Sequence, residues 1–121
     1  MSLLESGENY LEAILVLSKK QTEIHAIDIV NYLGFSKPSV SVMLKKLKED
    51  GYITINELSH IHLTSKGKQV ATKIYERHNV LSEFFTKIGV NKVVAEEDAC
   101  KIEHDLSEET FKAIKKLLNS L

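Results

Sequence analysis

Residues 24–64 read IHAIDIVNYLGFSKPSVSVMLKKLKEDGYITINELSHIHLT, and the order of signals in this stretch points to the fold. From about residue 26 to 33, apolar residues recur at helical spacing, and Gly34 stops the run. Ser36 is a favourable N-cap for a second helix, and Pro38 falls in its first turn, where a missing N–H costs nothing. That helix runs to Gly51 with Lys45, Lys46 and Lys48 in its last turns. Two short helices joined by a glycine-containing turn match a helix-turn-helix, although an ordinary αα-hairpin gives the same pattern. The next segment discriminates between them. "YITIN" (52–56) and "HIHLT" (60–64) alternate apolar and polar residues in the manner of strands, with Glu57-Leu58-Ser59 between them. A hairpin placed directly after the second helix is the layout of a winged helix, and the expected partner is double-stranded DNA.

Upstream, Tyr10, Leu11, Ile14, Leu15 and Leu17 mark an amphipathic helix from Ser6 to Lys20, broken by Gln21-Thr22-Glu23. Downstream, Thr64 caps a long helix from Ser65 to about Lys87, with Val70, Ile74, Leu81, Phe84 and Phe85 on its apolar face and Gly89 after its end. A helix over Lys92–Asp105 comes next, and Ser107, with Glu108 and Glu109, caps a last one to Asn119. The fold class read here is mainly α with a small β-hairpin. An N-terminal winged helix-turn-helix domain (residues 1–64) precedes a helical domain (65–121), and the long helix 65–87 links the two. The apolar stripes of residues 70–88 and 106–121 are too extensive for so small a chain to cover alone, which predicts a homodimer.

The net charge of −1 conceals an uneven distribution. Residues 19–77 carry ten Lys/Arg against six Asp/Glu, whereas residues 94–109 carry seven Asp/Glu against one Lys. A polyanion suits the first segment and cations the second; solvated helix faces account for either half alone. No apolar run is long enough for a membrane span, and no basic flank precedes an apolar stretch as in a signal peptide. The single cysteine makes no intramolecular disulfide, so the expected compartment is the reducing cytoplasm.

In a helix-turn-helix the first residues of the second helix reach base edges and its neighbours hold phosphates. Here these are Ser36, Lys37, Pro38, Ser39, Ser41 and Val42, with Pro38 and Val42 able to offer apolar contact to thymine methyls. Lys45 and Lys46 are candidates for neutralising the DNA backbone, and equally for complementing the helix dipole. His60 and Asn56 flank the wing tip, within reach of a groove or phosphate, or are simply polar loop residues.

In "DACKIEH" (98–104), Cys100, Glu103 and His104 stand at i, i+3 and i+4, which puts a thiol, a carboxylate and an imidazole on one helix face. Burying that face would bury three polar groups that need partners, and a divalent transition metal would satisfy all three. Further donors must come from distant segments. His78 in "ERHNVLSEFF", Glu12 with Asn9 one turn before it, and Glu96 one turn before Cys100 are the candidates. With no HExxH, nucleophile elbow or phosphate loop, an enzyme is not indicated.

Taken together, "YLEAI…DIVNYLGFSKPSVSVMLKKLKEDGYI…IHLTSKGKQVA…RH…DACKIEHDLS" resembles the metal-dependent repressors of the diphtheria toxin repressor and manganese transport regulator family, in the right order over nearly the whole chain. The resemblance implies a homodimer with a winged-helix DNA-binding half and a helical dimerisation half, in which Mn(II) or Fe(II) promotes operator binding and represses metal uptake. By position it implies ligands at Glu12, His78, Cys100, Glu103 and His104, with Asn9 a further candidate. Manganese-type members have an aspartate at the Asn9 position and a glutamate at the Cys100 position; iron-type members have methionine and cysteine there. Cys100 thus sides with the iron branch and Asn9 with neither. Iron-type members also use an ancillary carboxylate at the place of Ser82, beside Glu83, and a histidine where Glu96 stands, so a second site through His78 and Glu96 is implied with an incomplete ligand set. Many iron-type members carry an additional C-terminal domain, and by length this chain resembles the compact manganese branch. A thiolate favours Fe, Co(II) or Zn(II) over Mn in affinity, while cellular availability decides which metal is sensed.

On this reading one ion ties Glu12 and Asn9 of the DNA-reading half to Cys100, Glu103 and His104 of the other half. It would relieve the repulsion among the acidic residues of 94–109 and favour a dimer whose reading heads fit successive major grooves of a near-palindromic operator. The alternative is a winged-helix transcription factor whose DNA binding does not depend on metal, which leaves Cys100, Glu103 and His104 as a surface patch.

Overall fold

The computed structural model describes residues 5–121; residues 1–4, the start of the expected DNA-binding domain, lie outside the described residues. Its elements are α1 (Glu5–Ser18), α2 (Ala26–Leu33), α3 (Lys37–Glu49), β1 (Ile53–Ile55), β2 (Ile61–Leu63), α4 (Ser65–Lys87), α5 (Lys92–Ile102) and α6 (Glu108–Leu118). The chain divides into two compact units between Thr72 and Lys73, inside α4. None of the described helices is long and apolar enough to cross a membrane.

The first unit is built around α1, α2 and α3 with a two-stranded sheet beside them. α2 packs on α1 and α3, β1 on α3, and β2 on α1. Leu11, Ile14, Ile29, Val40, Leu44, Leu47, Ile53 and Ile61 are buried. On α1 and α3 these fall on one face of the helix, at positions 11 and 14 and at 40, 44 and 47, as helical spacing predicts. The strands run antiparallel, with Ile53 paired to Leu63, Thr54 to His62 and Ile55 to Ile61.

Local chemistry fixes where each element stops. Ser36 caps α3 by accepting from Ser39 N–H at 3.3 Å, and Pro38 sits in the first turn. At the other end, Gly51 N–H donates to Lys48 O (3.1 Å) and Tyr52 N–H to Leu47 O (2.9 Å), a Schellman motif that needs φ +83 at Gly51 and hence glycine. The hairpin turn is held by Asn56 Oδ1, which accepts from Leu58 N–H at 2.9 Å and His60 N–H at 3.0 Å, with Ser59 in the left-handed region. Thr64 caps α4 by accepting from Gly67 N–H at 3.1 Å and donates to Gly51 O at 2.7 Å, so the start of α4 is stitched to the end of α3.

The second unit holds the rest of α4, then α5 and α6, with Ile74, Leu81, Ala95, Ala99, Phe111 and Leu118 buried. Asn91 and Ser107 cap α5 and α6 through Val93 N–H and Thr110 N–H. Helix α5 stops at Ile102, short of the Asp105 expected from sequence. Asp105 N–H and Leu106 N–H both turn back to Ile102 O, because Ser107 must reach the extended backbone (ψ 156) of an N-cap. Val93, Val94, Leu117 and Leu121 are exposed apolar residues of this unit.

Candidate metal centre and DNA-reading helix

Within the second unit, α4 carries His78, and the turn after α5 carries Glu103 and His104. Glu103 is fully buried, with one carboxylate oxygen, Oε2, 2.9 Å from His78 Nδ1. The other, Oε1, is buried with no hydrogen-bond partner among the described residues, and His104 Nε2 lies 3.4 Å away, within ion-pair distance. A buried carboxylate oxygen with no donor costs on the order of 1–3 kcal/mol or more, and a cation is its natural complement. Imidazole and carboxylate are ordinary ligands of divalent transition metals. The donor set and the orphaned oxygen therefore fit a metal ion.

The helical backbone continues through Glu103, so Cys100 stands one turn before it, but the Cys100 residue is exposed. Glu96 is exposed as well and lines a groove with His78, Asn79, Ser82, Glu83, Thr86, Lys87 and Lys92. That groove gathers the residues expected for an ancillary site, among them Ser82, whose buried Oγ has no hydrogen-bond partner among the described residues. It also brings two lysines, which oppose a cation there. In the first unit, Asn9 and Glu12 are one turn apart on α1 and partly buried.

Sequence reading missed Arg77. It is 4% exposed, donates through Nη1 to Glu103 O (3.0 Å) and Leu106 O (2.6 Å), and through Nη2 to Glu108 Oε1 (2.8 Å). Its guanidinium also lies over the Phe111 ring, 5.3 Å from the centroid. The signal was available. Position 77 falls on the apolar stripe 70, 74, 77, 81, 84 of α4, and a charged residue in such a stripe must find buried partners. The Arg77 hydrogen bond, assisted by Lys73, holds the Glu108 carboxyl below its ordinary 4.5.

In the first unit, Ser36, Lys37, Pro38, Ser39, Ser41, Val42, Lys45 and Lys46 are all exposed, with Val42 at 71%. They form the open face of α3, whose buried side is Val40, Leu44 and Leu47. Lys46 borders a groove with Tyr10, Phe35, Pro38, Ser39, Val42 and Met43, whereas Lys45 borders one shared with the wing residues Ile55, Ser59 and Ile61. His60 begins the second half of the wing, just before β2. Its ring lies edge-to-face with His25 (centroids 4.8 Å apart), with Nε2 3.7 Å from Glu23 Oε2.

Two family models together match nearly the whole chain: "Iron dependent repressor, N-terminal DNA binding domain" over residues 2–61, and "Iron dependent repressor, metal binding and dimerisation domain" over residues 64–121. The transcriptional regulator MntR of Escherichia coli O6:H1 is 34% identical over 89% of this chain and 70% of its own length. An uncharacterised HTH-type transcriptional regulator of Methanocaldococcus jannaschii is 34% identical over 92% of this chain and 90% of its own. Among solved structures, the manganese regulator SloR superposes with a TM-score of 0.83 at 28% identity, over 98% of this chain and 55% of that one. The chain thus spans about half the length of that structure. The fold likeness extends to IdeR of T. acidophilum, TM-score 0.83 at 23% identity over 98% of this chain and 55% of that one.

Proposed function

The chain belongs to the iron dependent repressor family, and from this we propose that it is a metal-dependent DNA-binding transcriptional regulator, a repressor of Mn(II) or Fe(II) uptake genes that binding of divalent metal activates. The observation that carries the reading is the buried Glu103 carboxylate, with one oxygen on His78 and the other with no hydrogen bond among the described residues. His78, Glu103 and His104 would hold the ion in the second unit. Glu12, Asn9 and Cys100 are proposed to complete its shell, and Glu96 to serve a second ion with His78. The metal supplies a positive charge that pairs with carboxylates and draws separate segments onto one centre.

DNA reading is assigned to residues 1–64, with Ser36, Lys37, Pro38, Ser39, Ser41 and Val42 at base edges and Lys45 and Lys46 on phosphates. His60, beside the wing tip, is proposed as a further DNA contact. Residues 65–121 hold metal and pair two copies, whose exposed Val93, Val94, Leu117 and Leu121 supply apolar surface. The partners are therefore duplex DNA and a second copy of the chain, in the cytoplasm. The likeness to a manganese regulator supports Mn(II), and Cys100 keeps Fe(II), Co(II) and Zn(II) as competitors.

The test is selection of duplexes from a random library by the protein with Mn(II). Enrichment of a near-palindromic site, with two protomers and bound metal in the native mass spectrum, is the expected result. No enrichment with Mn(II), Fe(II), Co(II) or Zn(II) would contradict the reading.

A further inference from the structure

Arg77 immediately precedes His78 on α4, yet its side chain serves the other ligand segment. Nη1 bridges the carbonyl oxygens of Glu103 and Leu106, the two ends of the turn that carries Glu103 and His104. Nη2 reaches Glu108 Oε1 at 2.8 Å, in the first turn of α6, and that carboxylate is also 3.5 Å from Lys73 Nζ, one turn earlier on α4. One buried guanidinium, on the residue next to His78, thus ties the backbone of Glu103 and Leu106 to the start of the last helix.

We propose that Arg77 is the positioning residue of the metal centre, fixing the turn that presents Glu103 and linking that turn to α6 through Glu108. This rests on the metal reading of His78 and Glu103; Arg77 itself touches no metal.

The physical case has three parts. The Glu103 carbonyl, at the C-terminus of α5, carries partial negative charge and lacks an intrahelical donor, so a buried cation is a favourable partner. A planar guanidinium presents several donors in fixed directions, and a lysine ammonium at the end of a flexible stem does not. A ligand on a three-residue turn holds its position only if the turn is held, and outer-shell groups of metal sites commonly contribute about 10–100-fold in affinity. The route through Glu108 further predicts that occupancy of the centre is felt at the N-terminus of α6, in the family's dimerisation domain.

The experiment measures Mn(II) affinity by competition with a fluorescent chelator, together with the Mn(II) electron paramagnetic resonance spectrum, on the full chain. Wild type is compared with Glu103→Ala, Arg77→Met, Arg77→Lys and Glu108→Gln, each confirmed as folded by circular dichroism. Expected are a loss of about 10–100-fold for Arg77→Met with an altered spectrum, partial rescue in Arg77→Lys, and a smaller loss of about fivefold for Glu108→Gln. A purely structural arginine would lower the melting temperature and leave the affinity and spectrum of the folded protein unchanged. Should Arg77→Met not fold, Glu108→Gln, altered at a half-exposed position, carries the test. Wild-type affinity and spectrum in the Arg77 and Glu108 variants, with binding lost in Glu103→Ala, would overturn this proposal alone. Wild-type affinity in Glu103→Ala, or no binding by wild type, would overturn the metal reading and this proposal with it.

Discussion

His78 Nδ1 and Glu103 Oε2 stand 2.9 Å apart although 25 residues separate them in the chain. The second oxygen of the same carboxylate is buried with no hydrogen bond among the described residues, so this pair is an incomplete arrangement of buried polar groups.

Glu103→Gln separates the cost of that arrangement from its use. The amide removes the buried charge, so the metal-free variant should melt at or above the wild-type temperature. A ligand present at a hundredfold its dissociation constant stabilises the native state by about 2.7 kcal/mol, and this gain from Mn(II) should vanish in the variant. Differential scanning calorimetry with and without metal measures both.

Lys45 and Lys46 are exposed on the open face of α3. If each neutralises a DNA phosphate, replacement of either by alanine should weaken binding to all duplexes alike and reduce the slope of log affinity against log salt by about 1. Fluorescence anisotropy over a series of salt concentrations measures it. An unchanged slope would leave the lysines as helix-dipole partners only.

Much of the fold was legible in the sequence because its signals are local. Gly34 and Gly51 end α2 and α3 in the left-handed conformation, Ser36, Thr64 and Ser107 cap the helices they were expected to cap, and α4 runs over Ser65–Lys87 as read. The site was legible only in part. Spacing marked out Cys100, Glu103 and His104 together, but helix periodicity does not say which of them a long-range contact buries; Glu103 is enclosed and Cys100 is exposed. Arg77 escaped because its partners, two carbonyl groups and Glu108, are set by tertiary packing and not by neighbours in sequence.

Gly67 marks a close approach within the first unit. A Cβ at this position on α4 would overlap the backbone carbonyl oxygen of Tyr52, which accepts from Thr64 N–H at 3.0 Å. Gly67→Ala should therefore destabilise the protein by about 1–3 kcal/mol despite the better helix propensity of alanine. Urea unfolding followed by circular dichroism would show a lower midpoint; an unchanged or higher midpoint would mean the backbone yields freely there.

The Arg77–Glu108 pair has a consequence for pH. Because the folded-state carboxyl is held below 4.5, Glu108 contributes stability that is present above that value and lost as pH falls through the lower, folded value. Glu108→Gln should reduce the loss of stability on acidification below pH 4.5 and leave its slope near neutrality unaltered. Thermal melts between neutral pH and the acid limit test the sign.

Metal at the His78–Glu103 centre is proposed to control DNA binding. The most direct test is an anisotropy titration on the selected duplex with saturating Mn(II), with chelator, and with Glu103→Ala in the presence of Mn(II). Expected are tight binding in the first case and a loss of at least about tenfold, 1.4 kcal/mol, in the other two. Equal affinity in all three would contradict the proposal and leave a winged-helix protein that binds DNA without metal.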